Sequence, residues 1–309
     1  MADLAVRERR APWLGIGVSG EWQSSAEALA AAGLDFDVRQ EQLFWNKQAE
    51  PGIVFEEPAP MFGNVRCSDE QLLGCVTPQY NVLQNADAFA LLDPFLENGV
   101  ITHAGMTQDG LVFMIAELMT RGIGGEEYQI NLMCTNSFNA KYPCQIIMTP
   151  VRIVCQNMYR GLMKDRVFLA KHTMTASDKL RQIASSDVID RQLLTFSEII
   201  EGSQAKKLTL KQVQNLVALL FPYPKPGVRE EAFKAKADEQ REKFMDRYYD
   251  APDNRDHHGT AFAFVNAYMD YLSHRDPVRN TSVPWEDRRL QGIVSGLDID
   301  RNILRRAVA

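Results

Sequence analysis

The chain has 309 residues, of which 45% are hydrophobic and 24% charged, with a formal net charge of −6. This length and apolar content support a substantial core in one large or two ordinary domains, which excludes a disordered polypeptide; the negative balance excludes indiscriminate adhesion to nucleic acid. No uninterrupted apolar run reaches the roughly 18 to 20 residues of a bilayer span, and the N-terminal MADLAVRERRAPW lacks the apolar centre of a secretory signal, so a cytoplasmic protein without membrane contact is expected.

Residues 1–20 read as a flexible lead-in. Glu21 to Leu34 follows as a helix, with Ser24 as N-cap and Gly33 as C-cap. Leu34 to Val38 alternates apolar and acidic residues, the pattern of a half-buried strand. Lys47 to Phe62 holds three prolines and reads as an irregular loop or edge element. Val65 to Val76 and Tyr80 to Leu83 predict short strands around a turn at Thr77-Pro78-Gln79. Asn85 to Asn98 has helical spacing through Phe89, Leu92 and Leu96, although Pro94 removes a backbone donor from its interior. Ile101 to Met106 and Gly110 to Leu118 predict a hairpin around Gln108-Asp109-Gly110, and the glycines of Thr120 to Glu126 predict a mobile turn.

The stretch from Tyr128 to Thr173 organises the rest. Two runs rich in β-branched and apolar residues, Tyr128 to Cys134 and Cys144 to Val154, flank a polar turn and predict a second hairpin. The chain then passes through Cys155-Gln156-Asn157-Met158-Tyr159-Arg160, where a helix is expected to begin; such strand-to-helix junctions often carry function. Beyond it, Asp178 to Ile183, Ser186 to Gly202, Thr209 to Leu220, Glu230 to Tyr249 and Thr260 to Ser273 have helical periodicity, interrupted at Pro222, Pro224, Pro226 and Gly227. The expected fold is α+β: a mixed or antiparallel sheet in a core domain over residues 21–175, then a helical portion over 176–309.

Charge is distributed unevenly. Between Lys141 and Arg181 stand eight basic residues (Lys141, Arg152, Arg160, Lys164, Arg166, Lys171, Lys179, Arg181) and two acids, Asp165 and Asp178. This basic centre suits either phosphate or the acidic N-terminal half of the same or a neighbouring subunit. For a polynucleotide, Arg152, Arg160, Lys164, Arg166 and Lys171 would neutralise phosphates, Tyr159 or Phe138 would offer a face for base stacking, and Asn136 and Asn157 would hydrogen-bond phosphate or sugar. Two of these have second readings: Arg152 lies in an apolar strand where it would pair with a carboxylate of the fold, and Tyr159 would belong to the core.

Five separate stretches carry a family resemblance: GLDFDV, TPQYNVLQNADAFALLD, TNSFNAKYPCQIIMTPVRIVCQN, AKHT and GTAFAFVNAYMDYLSH. In this order, over roughly residues 20 to 300, the chain resembles the phage and plasmid-like protein family that carries a domain of unknown function, number nine-three-two. The most specific pieces are Pro150 to Asn157, Gly259-Thr260 and Asn266-Ala267. The family's usual asparagine-serine-histidine turn stands here as Asn136-Ser137-Phe138, which removes an acid-base group from it. The resemblance implies a protein of phages, plasmids and integrated elements with no settled activity. More loosely, its strands and following helix are similar to the single-strand annealing superfamily of homologous recombination, whose subunits form rings.

No H-E-x-x-H, G-x-S-x-G or dinucleotide fingerprint is present, so no catalytic residue, metal or cofactor is assigned. The five cysteines form no C-x-x-C pair and read as reduced core residues. The leading expectation is therefore a mobile-element protein that binds single-stranded DNA, assists annealing in recombination or replication, and assembles as a homo-oligomer. Two alternatives stand beside it: an interaction protein that modulates a host or competing-element factor, and an uncharacterised enzyme using His172 or the Asp256–His258 group.

Overall fold

The computed structural model describes residues 11–50, 53–155, 157–159, 166–172, 187–224, 227, 230–273, 283–295 and 301–308. The strands are β1 (Val18–Trp22), β2 (Val38–Glu50), β3 (Ile53–Arg66), β4 (Leu72–Val76), β5 (Val100–Met106), β6 (Leu111–Ile123), β7 (Glu126–Ser137), β8 (Cys144–Arg152) and β9 (Phe168–Ala170). The helices are α1 (Ser25–Ala32), α2 (Asn85–Phe89), α3 (Asp187–Ala205), α4 (Leu210–Leu220), α5 (Glu230–Asp250), α6 (Ala261–Ser273), α7 (Trp285–Ser295) and α8 (Arg301–Val308). The fold is α+β as expected, with antiparallel sheets in the N-terminal half and helices in the C-terminal half.

Six strands pair antiparallel in the order β1-β5-β6-β7-β8-β9, a meander from β5 onward. The β6–β7 register runs from Leu111 opposite Ser137 to Ile123 opposite Glu126. What reads in sequence as a loop from Thr120 to Glu126 is strand almost throughout. Only Gly124 and Gly125 turn, at φ of 57° and 81°, the left-handed values that a two-residue hairpin requires at both central positions.

Helices cover the sheet on both faces, which is why all nine residues of β8 are buried. Val112, Met114, Leu132, Cys134, Ile146 and Met148 share the larger core with Phe196 and Ile200 of α3 and with α6. The alternate positions Phe113, Ile115, Met133, Ile147 and Val151 meet a smaller core containing Trp13, Leu290 and Val294. Helix α6 is mostly apolar and buried along most of its length, Asn266 and Asp270 included, as a central helix must be. Residues of the strand-rich and helical portions thus share one core.

Several boundaries differ from expectation for local reasons. Residues 11–20, expected as lead-in, hold a 3₁₀ turn at Pro12–Gly15 and the start of β1; Trp13 and Ile16 anchor them in the smaller core. Leu34 to Asp37 is an irregular connection rather than a strand. The Ser24 and Gly33 caps are in place, with Ser24 Oγ accepting from the Glu27 amide and Gly33 at φ 64°. Pro94 resolves its conflict by dividing the predicted helix: α2 ends at Phe89, and Pro94 sits in the first turn of a 3₁₀ segment, Asp93–Asn98, where a missing donor costs nothing. Tyr80 to Leu83 is not a strand. Thr209 and Gln212 form the full capping box of α4. The predicted helix at Asp178 to Ile183 lies outside the described residues.

Strands β2, β3 and β4 form a separate antiparallel sheet in that order. Its base is tied to the main body. The Asn64 side-chain amide donates to the Phe138 carbonyl at 2.6 Å, and Gln84 exchanges two bonds with the Val38 backbone. Beyond the base, no described residue from Leu43 to Phe62 is buried, so β2 and β3 form an arm. Two of the three prolines expected to make this stretch irregular, Pro58 and Pro60, are carried on β3, whose extra residues, Ala59 to Met61, stand opposite Leu43; Pro51 lies outside the described residues. The Gln42 side chain donates to the carbonyls of Ala59 and Met61 there, satisfying groups that the register shift leaves without ladder partners.

Candidate functional site

Arg152 ends β8, opposite Tyr128 on β7. Alternation along β7 puts Glu126, two residues earlier, on the face Tyr128 uses. The guanidinium reaches it: Nη2 lies 2.7 Å and Nε 2.9 Å from Glu126 Oε2. From the other side, Asp253, in a 3₁₀ turn at Pro252–His257, accepts from Nη1 through its carbonyl at 3.0 Å and its carboxylate at 3.2 Å. The side chains of Arg152 and Asp253 are 3% and 4% exposed. Burial works against the arginine's charge, but Tyr159 and Glu126 outweigh it and hold its pKa above the ordinary value.

The network continues through Asn266 of α6. Its amide donates to Asp253 Oδ2 at 2.9 Å, while its carbonyl oxygen accepts from Asn157 Nδ2 at 3.0 Å and from the Tyr159 hydroxyl at 2.5 Å. His257 Nε2 lies 2.7 Å from Glu126 Oε1. Tyr159 packs edge-on to Tyr128 and Phe196, and burial drives its pKa well up. Charge is held inside a fold only when paired and hydrogen-bonded. This lattice therefore fastens the strand ends to the helical portion.

The expected phosphate contacts thus divide. Arg152, Asn157, Tyr159 and Asn136 are buried, so in this fold they are not available to a polynucleotide. Asn136 donates to the Leu83 carbonyl and to Asn85 Oδ1, both at 3.0 Å. Phe138, the second stacking candidate, is buried beside Phe36. Met158 pairs back on Val151, and the described part of the junction, Asn157 to Tyr159, is not helical. Arg160 and Lys164 lie outside the described residues.

Arg166 and Lys171 are exposed and flank β9, the last strand of the large sheet. Arg166 Nε donates to Gln145 Oε1. Because Cys144 stands opposite Ala170, Lys171 lies at the same end of the β8–β9 ladder as the exposed Lys141. Arg166 precedes β9 at the other end of that ladder.

His172 points inward next to Lys171. Its ring stacks on Tyr80 with centroids 4.8 Å apart, and among the described residues neither ring nitrogen meets a hydrogen-bond partner in good geometry. Burial lowers its pKa to about 4, so it is neutral at physiological pH. Asp256 and His258 are exposed and His257 turns to Glu126; among the described residues no group of three or more His, Cys, Asp or Glu could hold a metal ion. Cys134, Cys144 and Cys155 are buried and none of the five cysteines is in a disulfide; burial, reinforced by Asp253, raises the Cys155 thiol to about 12. No described helix is long and apolar enough to cross a membrane.

Sequence reasoning missed Glu126, Asp253 and His257 as members of one network. A signal was present, because an arginine inside an apolar strand demands a buried acid and the hairpin register offers Glu126. Asp253 and His257 arrive from about 100 residues away, beyond the reach of local pattern. The family model described as a domain of unknown function (DUF932) matches residues 72–293. No curated protein and no solved structure matches the chain.

Proposed function

We propose that this chain, which belongs to the DUF932 family, binds single-stranded DNA along the β9 rim of its large sheet and works as a homo-oligomer. In this reading it acts in the cytoplasm for a phage- or plasmid-type element and assists annealing of the strand it holds. The observation that supports the reading is the exposure of Lys141, Arg166 and Lys171 around the β8–β9 ladder, two of them at its one end and Arg166 at the other, in a chain whose overall charge is negative. Arg160 and Lys164 belong to the same proposal by sequence, in the segment that leads into β9. Arg152, Asn157, Tyr159 and Asn136 instead hold the platform together. A small set of cations around an open edge contacts phosphates without reading bases, so binding would be salt-sensitive and indifferent to sequence. Repeating the set around an oligomer turns a modest patch into a track.

The test is retention of labelled single- and double-stranded oligonucleotides at two salt concentrations. The native chain should hold single strands, more weakly at high salt, with a slope of about −0.7 per phosphate neutralised. Lys141→Ala/Lys171→Ala and Arg160→Ala/Lys164→Ala variants should each bind more weakly and with a shallower slope. Negligible retention by the native chain at low salt, or retention unchanged in both variants, would overturn the reading. One observation favours a second reading, an interaction protein acting on another factor: the arm exposes Phe44, Trp45, Val54 and Phe55. Its affinity would survive loss of the rim cations.

A further inference from the structure

The arm offers one strand edge and closes the other. Strand β2 is the outer member of its sheet and among the described residues pairs with β3 alone, so alternate backbone N–H and C=O groups along its far side have no strand partner among the described residues. On the opposite side of the arm, β3 pairs with β4 only from Phe62 to Val65. The more distal part of β3 carries Pro58 and Pro60, which lack the donor that strand addition needs. Strand β2 contains no proline over its 13 residues. Its middle exposes two large side chains on opposite faces, Phe44 at 57% and Trp45 at 52%. The arm lies ahead of residue 72, where the family match begins.

The sequence of β2 fits its own reverse. Outward-facing backbone groups alternate along a strand, so two copies of one edge can pair only with residues of the same parity opposite each other. In the register centred on Phe44, Leu43 stands opposite Trp45, Gln42 opposite Asn46, Glu41 opposite Lys47, and Gln40 opposite Gln48, each pair occurring twice. Apolar meets apolar, amide meets amide and acid meets base. Moving the centre to Leu43 sets Arg39 against Lys47, two like charges; moving it to Trp45 sets Leu43 against Lys47. Lys47 now bonds Glu57 at 2.8 Å and Glu41 bonds Arg39 at 2.7 Å. Both are exposed pairs, which rearrange at little cost.

We propose that two copies of this chain pair through the free edge of β2, antiparallel about Phe44, joining two three-stranded sheets into one of six. Self-pairing covers Phe44 and Trp45 and satisfies the open backbone edge. The inference rests on the reading above only in taking the protein to be an oligomer; it supplies the contact.

Sedimentation velocity over a range of concentrations, on the full chain without DNA, tests it. The native chain should dimerise. Glu41→Lys and Lys47→Glu each place like charges opposite one another twice and should weaken dimerisation by about tenfold or more; the double variant Glu41→Lys/Lys47→Glu should restore it. Thermal melts check that each variant is folded, and its substitutions lie away from the core. A native chain that stays monomeric, single variants that dimerise as the native does, or a double variant no better than the singles would overturn the proposal, as would capture of a different protein by a monomeric arm. Oligonucleotide retention is measured separately on the same variants, so that loss of pairing and absence of DNA binding remain distinguishable results.

Discussion

The large sheet and the arm are both antiparallel β-structure, yet they are held by opposite means. Strands β6, β7 and β8 are buried on both faces over most of their length, and the cation buried among them, Arg152, is held by two carboxylates and tied through Asn266 to a buried helix. No described residue in the distal halves of β2 and β3 is buried, and their charges meet in exposed pairs such as Lys47 with Glu57. The contrast separates a region that specifies the fold from one whose unfinished edge calls for a partner. A substitution in the first should act on stability at any protein concentration; one in the second should act on association.

The largest effect is expected at Arg152. Arg152→Ala removes the guanidinium that Glu126 and Asp253 share, and removing one member of a buried pair costs about 3–5 kcal/mol. Urea denaturation should show a loss of this size, while the arm substitution Lys47→Ala changes the midpoint little. A loss at Arg152 below about 1 kcal/mol would mean that solvent reaches the network, and the division between the two regions would fail.

The same contrast explains how much could be read from sequence. The hairpins on either side of Asp109 and the polar turn after Ser137, the caps Ser24, Gly33 and Thr209, and the buried α6 follow from neighbouring residues, and local pattern finds them. The arm was misjudged because three prolines between Pro51 and Pro60 outweigh a long polar strand in any local reading; what admits Pro58 and Pro60 is an unpaired outer edge, which only the topology reveals. Helices α7 and α8 went unread, although Leu290 and Val294 of α7 close the second face of the sheet. At the site, Arg152 and Tyr159 were legible as residues with two roles. The choice between those roles was made by Asp253 and Asn266, which come from the other end of the chain.

His172 gives a pH-dependent test of the buried region. Its pKa is about 4 in the folded protein against an ordinary 6.5, with burial as the main cause. Between these values the unfolded chain binds the proton and the folded chain does not. The contribution is complete above pH 6.5 and is lost as pH falls through 4. The full shift corresponds to about 3 kcal/mol. Stability measured from pH 7 to pH 4 should therefore fall less steeply in His172→Phe, which keeps a ring against Tyr80 without a titrating group, than in the native chain. Parallel pH profiles would show that the imidazole titrates as it does in water.

A smaller loss is expected at the entry to α4. Thr209 Oγ1 accepts from the Gln212 amide, and Gln212 Oε1 accepts from the Thr209 amide at 2.8 Å. Thr209→Ala removes the first bond and should cost about 1 kcal/mol. Thr209→Ser should recover most of it, since serine offers the same acceptor. Equal destabilisation by both would point to lost packing of the threonine methyl rather than a lost cap.

The smallest effect on the isolated chain is expected at Trp45, where the arm's character is tested most directly. The indole is half-exposed and stands opposite Glu57 across the β2–β3 ladder. Trp45→Ser removes only a cross-strand contact worth about 0.5 kcal/mol, so at low protein concentration the unfolding midpoint should hardly move. At high concentration the native chain should gain stability from pairing while Trp45→Ser gains less, because coupling to association stabilises only the species that associates. The two proteins should therefore diverge as concentration rises. A gap of constant size would make Trp45 an ordinary strand residue, and the arm would then differ from the large sheet only in degree of burial.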